Sequence, residues 1–179
     1  MNKCIYQISF DFSYALADIS KQKGDVSSLD LFDDTPELIH QFDYDWITAD
    51  SAVIPDLILI MSKLLGVSMK AYQIIESLLS GIESVDVELS NHKFKILTNI
   101  PLMTNTLNIR KSKITRFSTG DIMSIEIPIF LPRNYPPLFK IEEAPTSFFC
   151  SELLYKIIVN SNLTGWRFES RPIKSKSWL

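Results

Sequence analysis

Two cysteines, two histidines and five glycines are few for a chain of 179 residues, and each scarcity excludes a class of function. Cys4 and Cys150 are too few for a disulfide framework, which favours a reducing compartment. Together with His40 and His92 they are the chain's only cysteine and histidine ligands, and none has the paired spacing of a zinc site. So few glycines leave no Gly-rich phosphate-binding loop.

Long apolar runs are also missing. No segment approaches the ~18 apolar residues of a membrane span. The first residues, MNKCIYQISFDFSY, are interrupted by Asp11 and lack the cleavage site of a signal peptide. A composition of 46% hydrophobic and 22% charged residues is that of an ordinary globular protein. We therefore expect a soluble, cytoplasmic protein with one globular domain overall.

Charge is distributed unevenly along the chain. Residues 1–56 carry eleven acids against three lysines, a net charge of −8, whereas residues 110–179 carry a net +5. We assign residues 1–56 to an acidic N-terminal segment packed on the core, residues 57–171 to an α+β core and residues 172–179 to a basic tail. Such asymmetry favours electrostatic steering of a charged partner, although a solvated surface with clustered charges gives the same pattern.

The acidic segment supplies the candidate partner-binding residues. They are Asp30, Asp33, Asp34, Glu37, Asp43, Tyr44, Asp45 and Trp46. The two aromatic residues fit either interface anchors or core residues. The carboxylates could also bind a divalent cation, but they lack the glycine and the regular ligand spacing of a calcium loop. A partner-facing or solvated acidic surface is the better interpretation, and we expect no cofactor and no metal.

Two segments, residues 67–88 and 150–169, resemble copies of one unit. Each begins with a serine (Ser68, Ser151), continues with isoleucines at helical spacing, passes a glycine (Gly81, Gly165) and ends in a short alternating segment. The serine suits a helix N-cap and the glycine suits the left-handed residue that follows many helices. The pattern predicts an α+β fold: a single domain in which two similar Ser-capped helix–Gly–strand units pack with short antiparallel strands.

Other segments give shorter predictions. Alternation predicts an opening strand at residues 4–10, and we expect further strands at 94–98 and at 122–131, the latter interrupted by Pro128. Residues 57–65 are apolar throughout, which does not distinguish helix from buried strand. We expect loop and short helix within residues 25–56, a turn at Ser90-Asn91-His92, and a polar loop at 102–113.

Motifs for catalysis and nucleic-acid binding are weak. Gly66-Val67-Ser68 begins like a nucleophile elbow, but Lys70 stands where its last glycine belongs. Ser90-Asn91-His92-Lys93 matches S-x-x-K within an expected hairpin turn rather than at a helix start. An overall pI near 5.4 opposes phosphate affinity, so we expect no nucleic-acid partner.

Three parts of residues 55–171 carry a resemblance to a known family. They are Val67-Ser68 to Ile74-Ile75, the segment Leu138-Phe139-Lys140-Ile141, and a closing segment from Ser151 to Leu163-Thr164-Gly165-Trp166-Arg167-Phe168-Glu169. Together they resemble a bacterial immunity-protein family of polymorphic toxin systems, a former domain-of-unknown-function family ending in L-T-G-x-x-F-E. The family's usual Leu-Asp pair in the central loop is not evident in this chain, and Leu107-Asn108 stands nearest to it.

The resemblance implies a non-catalytic cytoplasmic protein that binds a cognate toxin, or effector, domain and blocks it. Basic toxins that attack nucleic acid would suit the acidic segment. Two other classes remain open: a small metal-dependent hydrolase or nuclease that uses the acidic cluster, and an adaptor unrelated to toxins. A homo-oligomer is also possible.

Overall fold

A computed structural model describes residues 4–23, 35–47 and 53–174. These residues form a mostly β structure that is α+β in the broad sense, with four sheets and three short helices. The strands are β1 Cys4–Phe10, β2 Ala17–Gln22, β3 Phe42–Trp46, β4 Leu57–Ile60, β5 Leu64–Ser68, β6 Glu83–Leu89, β7 His92–Thr98, β8 Leu102–Met103, β9 Lys113–Arg116, β10 Ile122–Ile127, β11 Leu138–Ile141, β12 Ala144–Ser151 and β13 Trp166–Pro172. The helices are α1 Pro36–Ile39, α2 Met69–Ile75 and α3 Glu152–Asn160. Among these helices, none has the length and apolar character needed to span a membrane.

The described residues divide into two compact units, each assembled from segments distant in sequence. Residues 4–8, 101–155 and 168–174 form the first unit. Its sheet has the strand order β13-β1-β12-β11-β8, and β9 and β10 pair as a separate hairpin. Aromatic rings fill its core: Phe130 meets Phe139 and Phe149 at centroid distances of 6.2 and 5.2 Å. Burial of rings of this size supplies much of the unit's apolar stabilisation.

Residues 9–23, 35–47, 53–100 and 156–167 form the second unit. Its four-stranded antiparallel sheet has the order β4-β5-β7-β6, and β2 and β3 pair as a two-stranded ribbon. Alternate residues of the ribbon and the sheet share one apolar core, in which Phe42 and Tyr44 of β3 pack with Ile58, Ile96 and Phe94. Because a two-stranded ribbon is marginal on its own, this burial is what holds β2 and β3 in place.

Two hairpin turns explain how the four-stranded sheet forms. Ser90 and Asn91 connect β6 to β7, and both have positive φ (43° and 69°), as the two central residues of a type I′ turn require. Met61 and Ser62, also at positive φ, begin the turn from β4 to β5. The apolar segment 57–65 is therefore two strands and a turn.

The Leu-Thr-Gly segment lies against the start of β4. Leu57 N–H donates to Thr164 O at 2.9 Å, and Asp11 N–H donates to Gly165 O at 2.9 Å. Gly165 has φ +111°, and a Cβ built there would lie 2.0 Å from Leu57 O. Only glycine therefore fits this position, because both the backbone conformation and the space exclude a side chain.

Asp56 connects this segment to the start of α2. Its carboxylate accepts hydrogen bonds from Thr164 N–H at 3.3 Å and from Ser68 Oγ at 3.3 Å. Ser68 is the N-cap of α2 and accepts from Ala71 N–H at 3.1 Å. Ser151, which precedes α3, is buried and accepts from Leu154 N–H at 3.5 Å. Both serines thus accept from the amide three residues on, as expected of caps.

Several local predictions need correction. Residues 42–46 were expected in loop or short helix, but Phe42–Trp46 is a strand, and among the described residues of 25–56 the short helix is Pro36–Ile39. Within the expected loop at 102–113, Leu102–Met103 is a strand, and Thr106, Leu107 and Asn108 are buried. The strand expected at 122–131 with an interruption at Pro128 is Ile122–Ile127, and Phe130 beyond the proline forms isolated bridges to Leu107 and Ile173.

Candidate functional site

The candidate acidic surface lies on the ribbon of the second unit. Along β3 the odd and even positions separate cleanly: Phe42 and Tyr44 are buried, while Asp43 and Asp45 point to the other face and are partly exposed. This is the two-residue period of a strand with one face on the core. We call the Asp43–Asp45 side the outer face of the ribbon.

Strand β2 adds a third carboxylate to the outer face. In the register of the ribbon, Asp18 stands directly opposite Asp45, and Lys21 stands opposite Asp43. Asp43 also forms an ion pair with Lys23. Like charges placed directly opposite across two strands are destabilising, so the Asp18–Asp45 pair has no structural reason in this fold. Asp18 was not predicted as a site residue, because no local sequence pattern shows that β2 pairs with β3.

Local hydrogen bonds hold the two opposed carboxylates. Asp45 accepts from the Ser90 hydroxyl and from Trp46 N–H, the latter at 2.8 Å. The hydrogen bond from Ser90 and, to a smaller extent, the one from Trp46 N–H hold the pKa of Asp45 below its ordinary value. Asp18 accepts from Ile19 N–H at 2.8 Å. Local hydrogen bonds therefore orient both opposed carboxylates on the outer face.

The two aromatic candidates have different positions. Tyr44 is 6% exposed, and its hydroxyl donates to Ile39 O at 3.0 Å. Burial raises the pKa of Tyr44, so its hydroxyl stays protonated. Tyr44 is therefore a core residue, and its side chain is not available to a partner. Trp46 is half-buried, with its ring edge-to-face against Phe94 at a centroid distance of 5.7 Å.

The remaining candidates are more scattered. Glu37 is exposed in the first turn of α1. Asp30, Asp33 and Asp34 lie outside the described residues. Within the part of the chain that the structure describes, no three His, Cys, Asp or Glu side chains are grouped as a metal site would require. Leu107 and Asn108 are each 4% exposed.

Exposed apolar side chains were not selected from the sequence. In the second unit Phe12, Ile47 and Val53 are 81%, 62% and 64% exposed. Ile47 directly follows β3, and Phe12 precedes β2. No sequence pattern identifies such residues, because exposure depends on which neighbours the fold brings to them.

Comparison with known proteins assigns no family. No family model matches the chain, and no curated protein matches it.

Proposed function

We propose that this chain is an immunity protein that binds a cognate toxin domain and neutralises it by occlusion, without catalysis. The observation that carries the proposal is the outer face of the ribbon, where Asp18 stands opposite Asp45 within a segment of net charge −8, while Asp43 is paired with Lys21 and Lys23. Exposed charge of one sign speeds encounter with a partner of the opposite sign. The motif resemblance to immunity proteins supports the same conclusion.

Occlusion of a basic toxin fits this surface. A toxin domain that acts on nucleic acid needs a basic cleft for phosphate groups. A protein face with several carboxylates is complementary to such a cleft and excludes the anionic substrate from it. A cytoplasmic location follows from this role, because an immunity protein must meet its toxin inside the producing cell.

The test is protection and binding with the toxin domain encoded beside the chain's own gene. Co-expression should restore growth of cells that produce that domain. In stopped-flow binding, replacing Asp30, Asp33, Asp34 and Glu37 by lysine should slow association ten-fold or more at low salt and less at high salt. The matched control replaces four exposed acids elsewhere, Glu76, Glu83, Asp121 and Glu142, and changes the net charge equally.

Three outcomes count against the proposal. If the unmutated chain neither binds nor protects, it is not an immunity protein for that toxin. If the purified chain instead hydrolyses nucleic acid or ester substrates in a Mg²⁺- or Mn²⁺-dependent way, the enzyme alternative replaces the inhibitor. Equal slowing by the control variant would show that net charge, rather than the position of the four replaced acids, governs association.

We also infer that residues 67–88 and 150–169 are copies of one Ser-capped helix–Gly–strand unit. The caps at Ser68 and Ser151 and the positive φ of Gly81 and Gly165 support this. The two segments end in different sheets, β6 in one and β13 in the other. The two segments can be superposed on their Cα atoms in an experimental structure. A deviation below ~3.3 Å, the rise of one residue along a strand, would support duplication, and a larger deviation would refute it.

A further inference from the structure

Two exposed apolar side chains, Ile47 and Val53, lie at one end of the ribbon, and a third, Phe12, lies in the turn that precedes β2. Ile47 N–H donates to Leu16 O at 2.9 Å, and Ala15 N–H donates to Val53 O at 2.9 Å. Because Ala15 and Leu16 are consecutive, Ile47 and Val53 are tied to adjacent points of the chain. Their side chains are 62% and 64% exposed. We call Phe12, Ile47 and Val53 the apolar end of the ribbon.

Phe12 is exposed although its turn is well held. Tyr14 N–H donates to Asp11 O at 3.2 Å, and Ser13 N–H donates to Asp11 Oδ1 at 3.0 Å. The ring of Phe12 lies edge-to-face against buried Phe10 at a centroid distance of 5.5 Å. An aromatic side chain that is ordered before binding loses little entropy on binding, which is the property of an interface anchor.

The opposed carboxylates are close to this apolar end. Along the ribbon, Leu16 and Ile47 are followed by the pair Ala17–Trp46 and then by Asp18–Asp45. Two residues of strand span about 7 Å, so the acidic pair lies within reach of a side chain that packs on Ile47. Apolar residues bordered by charge are the arrangement of a protein interface, with a desolvated centre and a polar rim.

Charge selects the occupant of this surface. Nucleic acids and anionic membranes carry negative charge and are repelled by Asp18 and Asp45. A second copy of the chain, docked about a twofold axis through the same surface, would bring its own Asp18 and Asp45 against these. A partner that presents lysine or arginine beside apolar side chains satisfies both parts of the surface.

We propose that the apolar end of the ribbon, together with Asp18 and Asp45, is the contact surface for a basic protein partner, with Phe12 and Ile47 as anchors and a partner cation between the two carboxylates. This inference rests on the proposed function and assigns its interface. It moves the centre of the interface away from Tyr44, which is buried, to residues that the sequence did not single out.

The experiment measures binding of the toxin domain encoded by the neighbouring gene to four alanine variants. Phe12→Ala and Ile47→Ala should each raise Kd ten-fold or more, mainly through faster dissociation and equally at low and high salt. The matched controls, Phe117→Ala and Leu102→Ala, truncate side chains that are each 53% exposed in the first unit, and should change Kd less than two-fold. Asp18→Asn with Asp45→Asn should slow association ten-fold at low salt and less at high salt.

A second measurement keeps the test valid if a variant folds poorly. Hydrogen exchange of the unmutated protein should show new protection of the amides at residues 12–18 and 45–47 when the toxin domain is added. If the unmutated protein binds, but the variants bind equally well and the amides gain no protection, the interface lies elsewhere and only this inference fails. If the unmutated protein does not bind at all, the proposed function fails with it. Self-association that Phe12→Ala abolishes would make the surface a homodimer face and overturn the proposal.

Discussion

The sharpest structural prediction concerns Gly165, at the junction of the Leu-Thr-Gly segment and β13. In Gly165→Ala the new Cβ would lie 2.0 Å from Leu57 O and 2.6 Å from Pro55 Cβ. The first of these atoms belongs to the backbone at the start of β4, and it cannot move without breaking the hydrogen bond from Leu57 N–H to Thr164 O. The residue must also hold φ +111°, which L-residues rarely adopt.

Gly81 is the matched control, because it separates the two causes of strain. Gly81 has φ +80° and no atom within 4 Å of a built Cβ, so Gly81→Ala meets the backbone strain alone. That strain costs about 1–2 kcal/mol, of which roughly 0.4–1 is offset by the smaller entropy of the unfolded chain. Gly165→Ala adds a backbone collision, and we expect a loss of about 4 kcal/mol or more, the size reached when a special backbone position is blocked.

Urea denaturation followed by circular dichroism measures both variants. For a chain of this size, a loss of about 4 kcal/mol corresponds to a fall in Tm of roughly 8–16 °C. Gly81→Ala should lower Tm by only a few degrees, and Gly165→Val should be worse than Gly165→Ala. Equal unfolding midpoints for Gly165→Ala and Gly81→Ala would refute the assignment of close packing at the Leu-Thr-Gly segment.

Three further predictions concern smaller effects. Ser68→Ala and Ser151→Ala should each lower the unfolding free energy by ~1 kcal/mol in urea melts and leave toxin binding unchanged, because each removes a helix cap. Asp18→Asn should raise the unfolding free energy at pH 7 by roughly 0.2–1 kcal/mol, since it removes a like charge opposite Asp45, and a lower value would show that the pair is not repulsive. The pKa of Asp45 is lower in the folded than in the unfolded state, so its contribution to the free energy of unfolding is present above about pH 4 and is lost as pH falls through the folded pKa. Ser90→Ala should therefore weaken the loss of stability on acidification. Melts between pH 7 and 3 that match those of the unmutated protein would contradict this.

Local sequence signals predicted some of the strands. β1 and β7 lie where strands were expected, and Ser90-Asn91 forms the hairpin turn between β6 and β7. β3 carries the same signal in Phe42, Tyr44 and Trp46, but its aspartates suggested a loop. The turn at Met61-Ser62 has neither glycine nor asparagine, so no residue type indicated that the apolar segment around it is a hairpin.

The candidate site could be predicted only in part, because it depends on pairing between distant segments. Charge counting located the acidic segment, and Asp43 and Asp45 do lie on a partly exposed face. Tyr44 could not be separated from the core until the ribbon's inner face was known. The opposition of Asp18 and Asp45 follows from the register of β2 with β3, which no local pattern encodes.

The discontinuous make-up of each unit has a consequence for synthesis on the ribosome. In the first unit β1 pairs with β12, and in the second the start of β4 is bonded to Thr164 and to the indole N–H of Trp166 through Ile58 O. The first unit's sheet cannot be completed until β12 and β13 have left the exit tunnel, whereas β4 can pair with β5 as soon as residues 57–68 emerge. Until then β1 emerges as an unpaired strand, the kind of nascent segment that chaperones recognise. A message truncated before codon 164 would therefore leave the first unit without β13 and the start of β4 without its bonds to Thr164 and Trp166.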